Sequence, residues 1–159
     1  MRIQLSRARG VMALVSALVA AGLGAPGCSD PGGGASGPPA CLDAPAEATC
    51  SPAAYGLRSD GTIAPTFHDV YSNTLRPVCA QAGCHAGPSP QKGLAMDDEA
   101  TAYANLVTGG RVTAGDLKCG KAFVRLESGG ESWSMPPGNP LDEPTLCAIR
   151  HWIAAGAKP

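Results

Sequence analysis

The residues with the clearest chemical potential form one short segment, Cys79-Ala80-Gln81-Ala82-Gly83-Cys84-His85. Two thiols followed at once by an imidazole are what covalent haem attachment requires. Each sulfur adds to a vinyl group, and the adjoining His reaches the iron from the same side. The common spacing has two residues between the cysteines; here there are four. Gly83 supplies the backbone freedom that a longer spacer needs to turn back on itself. The same residues also allow a Cys79–Cys84 disulfide with His85 at the surface, since oxidised pairs are the default for exported cysteines. A zinc site is a third reading, with a fourth ligand drawn from elsewhere.

A haem carrier needs a second axial ligand, and His/Met ligation raises the reduction potential. Beyond the first 27 residues the chain holds two methionines, Met96 and Met135. Met135 lies in Trp133-Ser134-Met135-Pro136-Pro137-Gly138, where two prolines stiffen the backbone and lower the entropy cost of presenting a thioether. Met96 reads as packing, and His68 and His151 as residues of exposed helix faces.

The elements that must position these groups read as helices. Phe67, Val70, Tyr71, Leu75 and Val78 fall on one helical face, and the helix is expected to end around Pro77. Asp97 or Asp98 can cap a second helix carrying Ala100, Tyr103, Leu106 and Val107, stopped by Gly109-Gly110. Asp116 can cap a third with Leu117, Phe123 and Leu126. Asp142 can cap a fourth, with Pro144 in its first turn, Leu146, Ile149, Trp152 and Ile153 facing inward, and Gly156 at its end. No run alternates with period two. The expected fold class is mostly α, with long Gly- and Pro-rich connections.

Composition bounds what such a chain can do. It has 159 residues with 21 Gly, 15 Pro and 7 Cys, and 12 Lys+Arg against 13 Asp+Glu. Leu, Ile, Val and Phe together number 27, of which 8 precede residue 24. The remainder is thinly supplied with core-forming side chains, and such chains usually need disulfides, a metal or a cofactor. Charge balance excludes a phosphate-neutralising stripe, so nucleic acid is not an expected partner.

Arg2, Arg7 and Arg9 precede an apolar run from Val11 to Leu23, with no acidic residue before Asp30. This is a secretory signal pattern, too short to span a bilayer. Ala25-Pro26-Gly27-Cys28 is similar to a bacterial lipobox, in which Cys28 would be acylated; Pro26 departs from that pattern. Ser29–Ala40 holds 7 Gly or Pro among 12 residues, the composition of a flexible tether. The expected organisation is a signal peptide over 1–27, a lipid-anchored tether over 28–62 and a folded domain over 63–159. Export implies an oxidising compartment. With Cys28 assigned to lipid, Cys41, Cys50, Cys79, Cys84, Cys119 and Cys147 remain, and the sequence leaves their pairing open.

Taken together, residues 63–157 resemble the class I cytochrome c fold of small exported bacterial proteins. The resemblance rests on Phe67-His68-Asp69-Val70-Tyr71, the Cys79–His85 segment, Lys92-Gly93-Leu94, Met135-Pro136-Pro137 and Trp152-Ile153-Ala154-Ala155-Gly156-Ala157. It implies haem c thioethers on Cys79 and Cys84, His85 and Met135 as axial iron ligands, and a planar cofactor for the long loops to wrap. Cys119 and Cys147 would then sit on the third and fourth helices, and we expect disulfides Cys119–Cys147 and Cys41–Cys50. The implied function is one-electron transfer by a membrane-tethered c-type cytochrome at the cell envelope, serving envelope redox proteins. No nucleophile–base constellation or carboxylate pair points to an enzyme. The alternative is a haem-free, disulfide-stapled envelope lipoprotein acting as a binding or interaction module, with Trp133 and Met135 on an exposed contact loop. It is otherwise periplasmic or secreted.

Overall fold

The computed structural model describes residues 37–48 and 65–159. The expected signal peptide, Cys28 and Cys50 lie outside them. The described residues are helical, with no strand among them and two isolated bridge pairs. No helix among them is long and apolar enough to cross a membrane.

Helix α1 opens as an α-helical turn, Phe67–Val70, and widens into a π-type helix, Tyr71–Cys79. Thr66 starts it with a reciprocal cap. Its hydroxyl oxygen accepts the Asp69 N–H at 3.2 Å, and the Asp69 carboxylate accepts the Thr66 N–H at 2.7 Å. The helix runs through Pro77 instead of ending there. Widening explains this: the Ala80 N–H reaches back five residues to the Leu75 carbonyl at 2.7 Å. A looser coil eases the clash between a proline ring and the carbonyl four residues earlier. Phe67, Val70, Tyr71, Thr74 and Leu75 form the buried stripe.

Helix α2, Glu99–Tyr103, continues as a π-type segment, Ala104–Thr108. Its cap is Asp98, whose carboxylate accepts the Thr101 N–H at 2.9 Å. Helix α3, Lys121–Glu127, starts after Gly120, whose φ of 119° only glycine adopts readily. The cap expected at Asp116 is not made. That carboxylate instead accepts the Lys118 and Cys119 N–H groups at 2.8 and 2.9 Å, closing a turn before the helix. Helix α4, Glu143–Ala154, is capped by Asp142 and carries Pro144 in its first turn, as expected.

The core centres on Phe67. Its ring lies 5.1 Å from Tyr103, edge-on, and 5.2 Å from Trp152. Such pairs contribute about 0.5–1.5 kcal/mol each beyond their buried area. Their polar ends are satisfied. Tyr71 donates to the Asp97 carbonyl at 3.1 Å, Tyr103 to the Ala157 carbonyl at 3.0 Å, and Trp152 Nε1 to the Lys158 carbonyl at 2.7 Å. Arg150 of α4 grips Glu127, the last residue of α3, with Nε at 2.8 Å and Nη2 at 2.7 Å from its two carboxylate oxygens.

The disulfide pattern corrects the expected one. Cys41 bonds Cys119, 78 residues away, not Cys50. Cys119 therefore does not bond Cys147, although Cys147, fully buried on α4, is itself in a disulfide. Local backbone pairing accounts for the choice. The Leu42 N–H donates to the Lys118 carbonyl and the Ala46 N–H to the Leu117 carbonyl, both at 2.8 Å. This lays residues 41–46 along the Asp116 turn and brings Cys41 against Cys119. Part of the stretch expected as tether is thus attached to the domain.

Candidate functional site

The Cys79–His85 segment is a tight hairpin at the end of α1. The Gln81 and His85 N–H groups both donate to the Cys79 carbonyl, at 2.8 and 3.2 Å, and the Cys84 N–H donates to the Gln81 carbonyl at 2.9 Å. Gly83 takes φ 81°, the left-handed turn anticipated for it. Gln81 Nε2 reaches back to the Pro77 carbonyl at 2.9 Å, satisfying the end of the helix.

His85 is fixed at both ends. Its carbonyl accepts the Met96 N–H at 2.7 Å, and its Nδ1 lies 3.1 Å from the Leu94 carbonyl. A carbonyl only accepts, so Nδ1 carries the proton and Nε2 keeps its lone pair in the neutral ring. Burial holds the His85 pKa below the usual histidine value against the opposing pull of the Leu94 carbonyl, with the Arg111 and Arg125 charges also lowering it. The imidazole is therefore neutral at pH 7.

The Met135 loop is tied to α3. The Met135 N–H donates to the Arg125 carbonyl, and Arg125 Nη1 donates to the Trp133 carbonyl, both at 2.9 Å. The Met135–Pro136 peptide is cis. Trp133 and Met135 are half-buried, not the exposed contact loop of the alternative reading, and the Trp133 N–H is buried without a hydrogen-bond partner.

These parts meet around one cavity of about 430 Å³. Cys79, Cys84, His85 and Met135 all line it. Its apolar walls come from α1 (Val70, Leu75), from Leu94 and Leu106, and from α4 (Ile149, Trp152). Met96, read as packing, is a buried core residue that also touches the cavity. His68 is exposed, as expected, and hydrogen-bonds Glu99 at 2.9 Å. His151 is half-buried.

The chemistry at the cysteines overturns the c-type cytochrome reading. Cys84 is disulfide-bonded, and Cys79 carries a free thiol. A disulfide sulfur has no S–H to add across a vinyl group, so the two-thioether attachment of haem c does not fit this pair. The same state corrects the Cys79–Cys84 disulfide. Among the described residues no group of three or more His, Cys, Asp or Glu could hold a metal ion, which removes the zinc site. With attachment gone, the expected iron ligation by His85 and Met135, the haem binding and the electron transfer built on it lose their premise. What remains is a shared cavity.

Sequence reading missed the basic part of that cavity. Lys92, Arg111, Lys121 and Arg125 line it, and among the described residues no Asp or Glu does. The available signal was the i, i+4 spacing of Lys121 and Arg125, which puts both on one helical face. Compared with protein-family models, curated proteins and solved structures, the chain matches none.

Proposed function

We propose that this chain is a haem-free, disulfide-stapled binding module that holds a small organic molecule with an apolar body in its central cavity. The cavity itself carries the proposal. A volume of about 430 Å³ with mainly apolar walls and a few fixed polar groups is that of a small-molecule site. Binding is favoured over catalysis by the state of its free thiol. Burial pushes the Cys79 thiol up to about 11, so roughly one molecule in ten thousand is thiolate at pH 7, and the thiolate is the reactive form. The likeness of residues 63–157 to class I cytochrome c is then a kept frame without the covalent cofactor. The N-terminal pattern of Arg2, Arg7, Arg9 and the apolar run to Leu23 supports export. Cys28 supports a lipid anchor at the envelope.

The test is native mass spectrometry of the exported protein, followed by organic extraction. One small organic molecule with an apolar body is expected per chain. Ala122→Trp, which fills the cavity from α3, should abolish retention while circular dichroism stays unchanged; equal retention by the filled variant would refute the proposal. On a denaturing gel stained for haem, a chain with Cys84 in a disulfide gives no band. A band at its mass would reinstate the electron-carrier reading.

A further inference from the structure

Four cationic side chains from three separate segments converge on a cavity that no carboxylate lines among the described residues. Lys92 sits in the Gln91–Gly93 turn, Arg111 in the loop after α2, and Lys121 and Arg125 one turn apart on α3. They are neighbours. Arg111 Nη2 lies 3.5 Å from the Lys92 carbonyl, and the Arg111 carbonyl accepts the Ala122 N–H at 2.9 Å. The chain as a whole is almost neutral, with 12 Lys+Arg against 13 Asp+Glu, so the cluster does not follow from composition.

The partners of the two arginines are neutral. Arg111 Nη1 donates to the Asn105 carbonyl at 3.0 Å, and Arg125 Nη1 donates to the Trp133 carbonyl at 2.9 Å. Carbonyls satisfy N–H groups without cancelling charge. Neither arginine nor Lys121 has a carboxylate within ion-pair distance among the described residues; the ion pairs there are His68–Glu99 and those of Arg150. Arg111 and Arg125 are half-buried at the cavity wall, where a charge is screened less than in open water. A ligand that brings negative charge there gains charge-assisted hydrogen bonds that the neutral carbonyls do not supply.

Resting on the binding reading above, we infer that the ligand is an amphipathic organic anion, with an apolar body against α1 and α4 and an acidic group at the Arg111–Lys121 side. Guanidinium and ammonium donors suit a carboxylate or sulfonate, and such charge-assisted hydrogen bonds are about twice as strong as neutral ones. The half-buried Cys79 thiol, in the same wall, reports occupancy.

A matched pair of dyes tests this on the full exported chain. 8-Anilinonaphthalene-1-sulfonate and N-phenyl-1-naphthylamine share an aromatic body and differ by the sulfonate. The anionic dye should bind one per chain, at least tenfold more tightly than the neutral one, and should slow alkylation of Cys79 followed at about pH 9, where roughly one thiol in a hundred is ionised. Arg111→Gln and Lys121→Gln should each weaken the anionic dye about tenfold and leave the neutral dye unchanged. Lys121 is exposed and makes no hydrogen bond that folding needs, so its variant keeps the test valid if Arg111→Gln misfolds. Equal binding of the two dyes, or indifference to both substitutions, overturns the anion inference while leaving the cavity reading intact. Anionic dye binding that leaves Cys79 alkylation unchanged overturns it too, by placing the dye elsewhere. Failure of both dyes to bind refutes both.

Discussion

Two sides of α1 are built on opposite rules. Toward α2 and the end of α4, Phe67 is 1% exposed and meets Tyr71, Tyr103 and Trp152 ring against ring. Every polar tip there has a carbonyl partner. Toward the Cys79 hairpin and the Met135 loop, buried apolar side chains and the half-buried Cys79, His85 and Met135 line a cavity of about 430 Å³. The indole N–H of Trp133 is buried without a partner on that loop, at a cost on the order of 1–3 kcal/mol. One side supplies the stability; the other is left open at the expense of some of it, as binding sites generally are.

The comparison can be broken most directly at the staple. Replacing Cys41 and Cys119 together by Ser removes a cross-link spanning 78 residues, worth roughly 4–5 kcal/mol in the chain-entropy account. Urea denaturation should show an unfolding free energy lowered by that amount. A change below about 1 kcal/mol would mean that the Leu42 and Ala46 backbone bonds hold the segment alone. Next comes the solid side. Phe67→Ala should cost about 3–5 kcal/mol, whereas Met135→Ala, at the rim of existing space, should cost about 1 kcal/mol or less. Thermal melts of the two variants measure the contrast directly, and similar losses would erase it.

The smallest effects are those of pH, and they have opposite signs on the two sides. Hydrogen bonding to Glu99, then its charge, raises the His68 pKa above 6.5. The folded state holds that proton more tightly, so the contribution is complete below about pH 6.5 and fades as pH rises through the raised value. Burial lowers the His85 pKa below 6.5. Its contribution is complete above about pH 6.5 and fades as pH falls through the lowered value. NMR titration of the two imidazoles should therefore bracket 6.5 from above and below. Glu99→Gln should bring His68 back toward 6.5 and leave His85 unmoved.

Local features of this fold were legible in the sequence, and distant ones were not. Asp98 and Asp142 announce α2 and α4 because a cap depends on residues three apart. The stripe of Phe67, Val70, Tyr71 and Leu75 shows the inner face of α1 by its period. Asp116 misled because the same carboxylate that caps helices also closes turns, and here the turn at Lys118 and Cys119 claims it. Pro77 misled because a π-type helix tolerates what an α-helix does not. The Cys41–Cys119 bond depends on two segments meeting, and no spacing rule encodes that. Cys79, Cys84, His85 and Met135 line one cavity, yet the oxidation state of Cys84 decides their chemistry and is invisible in a row of letters.

The carbonyls of Ala157 and Lys158 receive the phenol of Tyr103 and the indole of Trp152, the two rings packed on Phe67. Displacing the Ala157–Lys158 segment would strip hydrogen bonds from both aromatics in one event. Two backbone carbonyls at consecutive positions thus govern whether both rings of the aromatic nucleus keep their polar ends satisfied.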